Sequence, residues 1–109
     1  MIKQIPVRVQ ENSRLAAMAA WKLGVPKCAM VIGRTIYLYR ARKQDLLDDT
    51  AWLRHEVAHI HQWEKMGWSK FILQYLWLSF RHGYWENPLE AEARKAEQNP
   101  DILKSVEIL

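Results

Sequence analysis

The segment HEVAH at residues 55–59 constrains the fold more than any other part of the sequence. Two histidines four positions apart lie on nearly the same face of an α-helix, one turn from each other. From there both imidazoles can reach one zinc ion at about 2.0–2.1 Å. Glu56 lies beside the pair, where it can accept a proton from water without being a ligand. The pattern therefore predicts a helix over about 51–66, followed by Gly67, with His55 and His59 as zinc ligands.

A third ligand has to come from elsewhere, because a catalytic zinc site normally has three protein ligands and one open position. A histidine six residues after His59 would complete one known arrangement, but that position is Lys65. The downstream candidates are Glu90, Glu92 and His82. The two glutamates lie in the segment NPLEAEAR, which predicts a helix with an asparagine cap and proline in its first turn. Glu90 is the favoured ligand, although its position also suits a capping box.

The rest of the pattern predicts one small α+β domain spanning 1–109. Half of the 109 residues are hydrophobic, and the chain shows no internal repeat and no flexible linker. The two-residue turn Gly33-Arg34 between CAMVI and TIYLY predicts an antiparallel hairpin. The predicted elements are an edge strand or extended arm at 2–9, strands at 28–32 and 35–40, and helices at 13–24, 51–66, 70–81 and 87–98. We expect a small antiparallel sheet with about four helices and a central HEVAH helix.

At these residues the chain resembles a minimal zincin of the glutamate-ligand (gluzincin) type, over about 28–98. GRTIY ahead of HEVAHIHQ at 55–62 is similar to a pattern in small bacterial HExxH domains, many of unknown function. EAEA at 90–93 is similar to a segment of ImmA/IrrE-type peptidases whose first glutamate is a metal ligand. The resemblance implies a Zn²⁺ cofactor, metallopeptidase activity and Glu90 as third ligand. One position departs from it: Arg94 stands where those peptidases usually carry Asp or Asn to support a motif histidine.

The mechanistic hypothesis that follows is zinc-dependent hydrolysis of a peptide or protein substrate. Zinc held by the two motif histidines and Glu90 lowers the pKa of water towards about 7, and Glu56 acts as the general base. Tyr84 is the first candidate for stabilising the oxyanion, because it offers an O–H donor in the loop before the ligand helix. Other candidates for this role are Arg81 and His82. An extended peptide would pair with the edge of the strand at 35–40.

Two other functional classes stand beside this hypothesis. The first is a non-catalytic zinc-binding sensor or protein-interaction domain, because 109 residues leave little material for the walls of a substrate cleft. The second is nucleic-acid binding, which the net charge of +4 allows. The basic residues concerned are Lys3, Arg8, Arg34, Arg40, Arg42 and Lys43. Acidic residues interrupt this set and no nucleic-acid motif is present, so nucleic acid is not an expected partner.

The apolar stretch from Phe71 to Phe80 (FILQYLWLSF) has too many apolar side chains for one narrow buried face. It is either a helix buried on most sides or an exposed surface for a homodimer, a membrane or a protein partner. The stretch is about half as long as a transmembrane helix. The first ten residues lack the apolar core of a signal peptide, and a single cysteine, Cys28, excludes an internal disulfide. We therefore expect a soluble, cytoplasmic protein.

Overall fold

A four-stranded sheet and five α-helices form the described part of the chain, residues 4–109 of this computed structural model. The elements are β1 (Ile5–Gln10), α1 (Arg14–Leu23), β2 (Cys28–Ile32), β3 (Thr35–Tyr39), α2 (Lys43–Asp48), α3 (Thr50–Met66), α4 (Trp68–Glu86), α5 (Pro88–Ala96), a 3₁₀ helix (Ile102–Ser105) and β4 (Val106–Ile108). The strand order is β2-β3-β1-β4. The predicted α+β class is confirmed, with the hairpin and the long HEVAH helix in place.

β2 and β3 form the predicted hairpin, and they pair antiparallel from Cys28 with Tyr39 to Ile32 with Thr35. Gly33 has a φ of +64° in the two-residue turn, a conformation that glycine adopts without strain. The whole sheet is mixed and not antiparallel as predicted, because β1 runs parallel to both β3 and β4. Parallel pairing needs a long connection, which α1 and β2 supply between β1 and β3.

β1 is an interior strand, so the prediction of an edge strand or extended arm is wrong for residues 5–9; residues 2 and 3 lie outside the described part. Its first three residues pair with β4 and its last three with β3. The Val7 carbonyl accepts a hydrogen bond from the Leu109 N–H at 2.9 Å, on the β4 side. The backbone of the neighbouring Pro6 therefore faces the other side, where pairing with β3 has not begun. Proline is tolerated here because its missing N–H removes no ladder hydrogen bond.

α3 is the central helix, as predicted, and it packs its apolar face against the sheet. Asp49 caps the helix by accepting a hydrogen bond from the Trp52 N–H at 3.1 Å, and Gly67 ends it with a positive φ. The core residues from α3 are Leu53, Val57 and Ile60, and those from other elements are Val7, Ile36, Leu38, Leu46 and Val106. Because this face is turned to the sheet, the histidines of HEVAH are turned towards α4 and α5.

α4 and α5 bring further polar groups to that side of α3. α4 contains the predicted 70–81 helix and extends beyond it, with a break in helical backbone at Gly83. The buried Asn87 caps α5, as predicted, by accepting a hydrogen bond from the Leu89 N–H at 2.9 Å. Its side-chain amide also donates to the Tyr75 carbonyl at 3.2 Å and to Ser79 Oγ at 2.8 Å. These hydrogen bonds tie the start of α5 to the middle of α4.

The other helices are short. α1 has ten residues, and α2 has six in a segment between the predicted strand at 35–40 and the predicted helix at 51–66, where no element was predicted. α2 begins where Asp45 Oδ2 accepts a hydrogen bond from the Arg42 N–H at 2.9 Å, a local signal that the sequence prediction missed. Within residues 4–109, no helix has both the length and the apolar character that crossing a membrane requires.

Candidate metal centre

His55, His59 and Glu90 converge on one point between α3 and α5. Glu90 Oε1 lies 3.1 Å from His55 Nε2 and 3.2 Å from His59 Nε2. One ligand atom from each residue lies within 4.8 Å of the others. Tetrahedral coordination at about 2.0–2.1 Å places neighbouring donor atoms about 3.3 Å apart. The three side chains therefore form a group that can bind a metal ion.

The protonation of His59 is determined by a glutamine one turn further along α3. His59 Nδ1 lies 2.8 Å from Gln62 Oε1. The orientation of this amide is fixed because Gln62 Nε2 donates to the Leu89 carbonyl at 3.0 Å and to Glu92 Oε1 at 3.1 Å. Gln62 Oε1 only accepts, so His59 Nδ1 carries the hydrogen. In the neutral imidazole, Nε2 then points a lone pair at Glu90.

His55 is oriented in the same way by Glu97, just beyond the end of α5. His55 Nδ1 lies 2.9 Å from Glu97 Oε2, and a carboxylate accepts the Nδ1 hydrogen. The Nε2 lone pair of the neutral ring therefore also faces Glu90 Oε1. Three acceptor atoms therefore meet with no donor between them. Their lone pairs repel one another unless a metal ion or added protons lie at this point.

Tyr75 on α4 positions the carboxylate of Glu90. Its hydroxyl donates to Glu90 Oε2 at 2.5 Å, while Oε1 faces both histidines. Glu90 is only 3% exposed, so this hydrogen bond and the histidine contacts replace the water that the carboxylate loses on burial. Because one oxygen is held by Tyr75, the other remains available to a metal ion.

The pKa values of these groups reflect their close packing. Burial by itself lowers the pKa of His55, but the hydrogen bonds to Glu90 and Glu97 and the charge of Glu56 raise it to about 9. Burial also lowers the pKa of His59, but Glu90, Glu56 and the hydrogen bond to Gln62 outweigh this effect and raise it. Burial raises the pKa of Glu90, but the two histidines lower it well below its usual range. In the metal-free protein, protons on the histidines therefore supply the positive charge that the site requires.

Glu56 is buried beside the three converging side chains. Burial is the main reason that its pKa is raised to about 7, and the two histidine charges partly oppose this effect. It is not among the three groups that converge, but it lines the same cavity as they do. A carboxyl group with a pKa near neutrality can both accept and return a proton.

The cavity that contains these side chains has a volume of about 640 Å³ and is mainly apolar. It lies between α3, β2, α1 and α4. Four of its lining residues, His55, Glu56, His59 and Glu90, form a polar cluster. The others are Ala19, Lys22, Leu23, Cys28, Ala29, Met30, Val31, Ile32, Trp63, Phe71, Ile72, Tyr75, Leu76, Ser79 and Tyr84. The polar cluster is thus placed against a pocket large enough to take several side chains of a ligand.

Tyr84, the first candidate for oxyanion stabilisation, lines this cavity just after the break at Gly83. Burial raises the pKa of its hydroxyl, as do the charges of Glu90 and Glu56, so the group stays protonated at neutral pH. Within residues 4–109 its hydroxyl makes no hydrogen bond, so the O–H is free to donate. Arg81 and His82, the other candidates for this role, are exposed and do not line the cavity.

The other candidate ligands, Glu92 and His82, are not among the converging groups, and neither are the nearby His61 and Arg94. Glu92 is exposed and accepts a hydrogen bond from Gln62, so it supports His59 indirectly. His61 lies 2.6 Å from Ser105 Oγ, away from the pair. Arg94 donates to the Trp85 carbonyl at 2.6 Å and its guanidinium lies 4.0 Å from the centre of the Trp85 ring. Arg94 therefore plays no part in orienting a motif histidine.

Three residues of the site were missed by sequence reasoning: Gln62, Tyr75 and Glu97. Glu97 follows Glu90 by seven residues, a helical repeat that places the two on one side and that could have identified it. Gln62 was noted only as part of the HEVAHIHQ resemblance. Tyr75 lies on another helix, and its contact with Glu90 depends on tertiary packing that no local spacing reports.

The strand that borders the cavity is β2, not the 35–40 strand that we expected to pair with a peptide. β3 lies between β2 and β1 and has no free edge over its paired length, so that prediction is wrong. In the hairpin, Ala29 and Val31 direct their backbone groups away from β3. The Val31 carbonyl accepts a hydrogen bond from Trp63 Nε1 at 3.1 Å, on the outer edge.

Comparison of the chain with protein-family models, with curated proteins and with solved structures gives no match.

Proposed function

We propose that this protein is a zinc-dependent metallopeptidase of the glutamate-ligand zincin type, similar in its site to ImmA/IrrE-type peptidases. The observation that carries the proposal is the convergence of three acceptor atoms, from His55, His59 and Glu90, with both imidazoles oriented through their Nδ1 atoms. Two histidines and one glutamate are a known ligand set for catalytic zinc. The hydrogen bonds from Glu97, Gln62 and Tyr75 are the kind of support that metal ligands usually have.

The chemistry divides between the metal ion and the protein. A zinc ion held by these ligands supplies Lewis acidity, which makes water a nucleophile near neutral pH and polarises a carbonyl group. The Glu56 carboxylate accepts the proton from the attacking water and delivers it to the departing amine. The Tyr84 hydroxyl donates a hydrogen bond to the oxygen of the tetrahedral intermediate.

The substrate that fits this arrangement is an extended segment of a polypeptide. The outer edge of β2 runs along the cavity, and the backbone groups of Ala29 and the N–H of Val31 face outwards there. An extended peptide pairs with such an edge through main-chain hydrogen bonds and places alternate side chains in a pocket. The apolar lining of the cavity favours apolar side chains on the substrate.

The second candidate function is a non-catalytic zinc-binding sensor or interaction domain. The observation that favours it is the apolar character of the cavity. Of the three residues expected to stabilise an oxyanion, Tyr84 lines the cavity, whereas Arg81 and His82 do not. Such a domain would bind zinc through the same three residues but would not cleave a peptide.

The Glu56→Gln variant separates the two functions. We expect it to retain zinc, because Glu56 is not among the converging ligands, and to cleave a quenched fluorescent peptide library roughly 10²–10⁴ times more slowly. Glu64→Gln is the matched control, since Glu64 lies on the same helix but pairs with Arg34 on the surface. Cleavage by the wild-type protein has to disappear with a chelator and return with zinc. Wild-type cleavage that Glu56→Gln leaves unchanged would refute the proposal, and zinc binding without cleavage would favour the sensor.

A further inference from the structure

α4 has an apolar face that no other part of the described chain covers. On one side of this helix, Phe71 is buried. A second set of apolar side chains lies on the opposite side, with spacings that form one stripe along the helix. These side chains are Ile72, Leu73, Leu76, Trp77 and Phe80, all of them exposed. Phe80 is 85% exposed and Leu73 is 68% exposed, so the stripe projects into solvent.

α1 has a similar exposed face on the other side of the cavity mouth. Trp21 is 82% exposed, and Leu15 and Met18 are also exposed. The cavity is lined by Lys22 and Leu23 from α1 and by α4 residues of the exposed stripe. The exposed faces of α1 and α4 therefore flank one opening, and we call them together the α1–α4 surface. Exposed apolar side chains gathered on the two helices that border one opening mark a site of interaction.

The charges on the α1–α4 surface have one sign. α1 carries Arg14 and Lys22 and no acidic residue. α4 carries Lys70 and Arg81 beside its apolar stripe, three turns apart, and has no acidic residue before Glu86 at its end. Although the chain has twelve acidic residues, the two helices thus have almost none of them.

We infer that the α1–α4 surface docks onto an anionic lipid bilayer. Helices that lie in a membrane interface combine tryptophan, phenylalanine and leucine with lysine and arginine, as this surface does. Each basic residue near an anionic surface adds to the attraction. A second copy of the chain fits less well, because a symmetric contact would bring the same basic residues of both copies together.

The docked orientation turns the mouth of the cavity towards the lipid. A corollary, which rests on the proposed function, is that the peptidase acts on polypeptide segments lying at the membrane surface. The docking itself does not depend on the metal centre, since none of its residues is a ligand. Binding to vesicles by the Glu56→Gln variant is therefore expected to equal that of the wild type, whether or not the protein is a peptidase.

Vesicle flotation of the full chain tests the inference. The probes are vesicles of phosphatidylcholine alone and of phosphatidylcholine with about one third phosphatidylglycerol. We expect binding to the anionic vesicles to be at least about tenfold stronger, and to weaken with salt. The double variant Trp77→Ala/Phe80→Ala is expected to lose about tenfold or more of this binding, because both rings are exposed and stack on each other, not on the core.

Charge variants provide the matched comparison. Lys70→Ala/Arg81→Ala is expected to weaken binding to anionic vesicles by about tenfold. Lys65→Ala/Lys95→Ala removes the same charge from exposed positions on α3 and α5 and is expected to change binding by less than about twofold. Circular dichroism checks that each variant is folded. Equal binding to both vesicle types, or no binding, would overturn the inference. So would a dimer in solution that Trp77→Ala/Phe80→Ala dissociates and that does not bind vesicles.

Discussion

Two walls of the cavity differ in their chemistry. The wall formed by α3 and α5 is polar, and Glu56, His59 and Glu90 on it are buried. His55, His59 and Glu90 are each fixed by a partner outside the convergence point, namely Glu97, Gln62 and Tyr75. The α1–α4 wall is apolar and ends in side chains exposed to solvent. The polar wall fixes the orientation of its ligand atoms, whereas the α1–α4 wall offers a large apolar contact surface.

This difference separates two kinds of recognition. Hydrogen bonds with fixed geometry can hold a small ion at one point, because each ligand atom has a determined orientation. Apolar contacts have no preferred direction, so they suit a large and adaptable partner such as a lipid surface or an apolar peptide. If the two walls act independently, a change on one wall leaves the recognition by the other intact.

The largest effect is expected when a ligand on the polar wall is removed. His59→Ala deletes one of the three proposed ligand atoms and is expected to lower zinc affinity at least about a thousandfold in a titration with a competing chelator. His61→Ala, two residues along the same helix, removes a side chain that contacts Ser105 and is expected to leave the affinity unchanged. If both variants bind zinc like the wild type, His59 is not a ligand.

The next comparison uses one leucine from the core behind the polar wall and one from the exposed face of α4. Leu53 on α3 is 6% exposed in the core, and Leu53→Ala is expected to lower the free energy of unfolding by about 2–5 kcal/mol. Leu73→Ala on the exposed face of α4 is expected to lower it by less than about 0.5 kcal/mol. Urea denaturation of the metal-free variants measures both values. A large cost for Leu73→Ala would show that this face is covered in solution.

A smaller effect is expected from the hydrogen-bond partners of the ligands. Glu97→Gln leaves His55 in place but replaces its charged acceptor, and is expected to weaken zinc binding about 10–100-fold. Glu92→Gln makes the same chemical change on α5, where the carboxylate only accepts from Gln62, and is expected to have less than about a threefold effect. If Glu92→Gln weakens zinc binding more than Glu97→Gln does, the carboxylate that supports the site is Glu92 and not Glu97.

The smallest effect is the pH dependence of the metal-free protein. The folded pKa of His55 is about 9, because Glu90, Glu97 and Glu56 outweigh its burial, and His59 is shifted in the same direction. A raised pKa stabilises the folded state fully below the unfolded value of about 6.5, and this stability is lost as the pH rises through about 9.

We therefore expect the free energy of unfolding, measured in a chelator, to fall by about 1–2 kcal/mol between pH 7 and 9. The raised pKa of Glu56, about 7, changes the free energy of unfolding mainly below pH 7, so it contributes little to this fall. His55→Gln is expected to reduce the fall. A stability that rises over the same range would contradict the close packing of these groups in the metal-free protein.

Local signals were sufficient to predict much of the fold and of the candidate site. Gly33 in the hairpin turn, Gly67 after α3 and Asn87 before α5 each act within a few residues, so the elements that they bound could be predicted from spacing. The convergence of His55, His59 and Glu90 also followed from local spacing together with the family resemblance.

What the sequence did not reveal depends on contacts between distant segments. β4 has three residues and pairs with β1 from the other end of the chain, so neither the mixed sheet nor the interior position of β1 could be inferred from alternation. Tyr75 reaches Glu90 only because Asn87 ties α5 to α4. The apolar stretch 71–80 was ambiguous for a related reason: its composition cannot tell a doubly buried helix from one with a solvent-exposed face.

The most direct test of the central claim is X-ray absorption at the zinc edge of the purified full chain. The account predicts one zinc ion per chain, with two imidazole nitrogens and one carboxylate oxygen at about 2.0–2.2 Å. The imidazole signal is expected to disappear in His55→Ala/His59→Ala. A sulfur ligand at about 2.3 Å, which Cys28 at the cavity would provide, or the absence of bound zinc, would contradict the account.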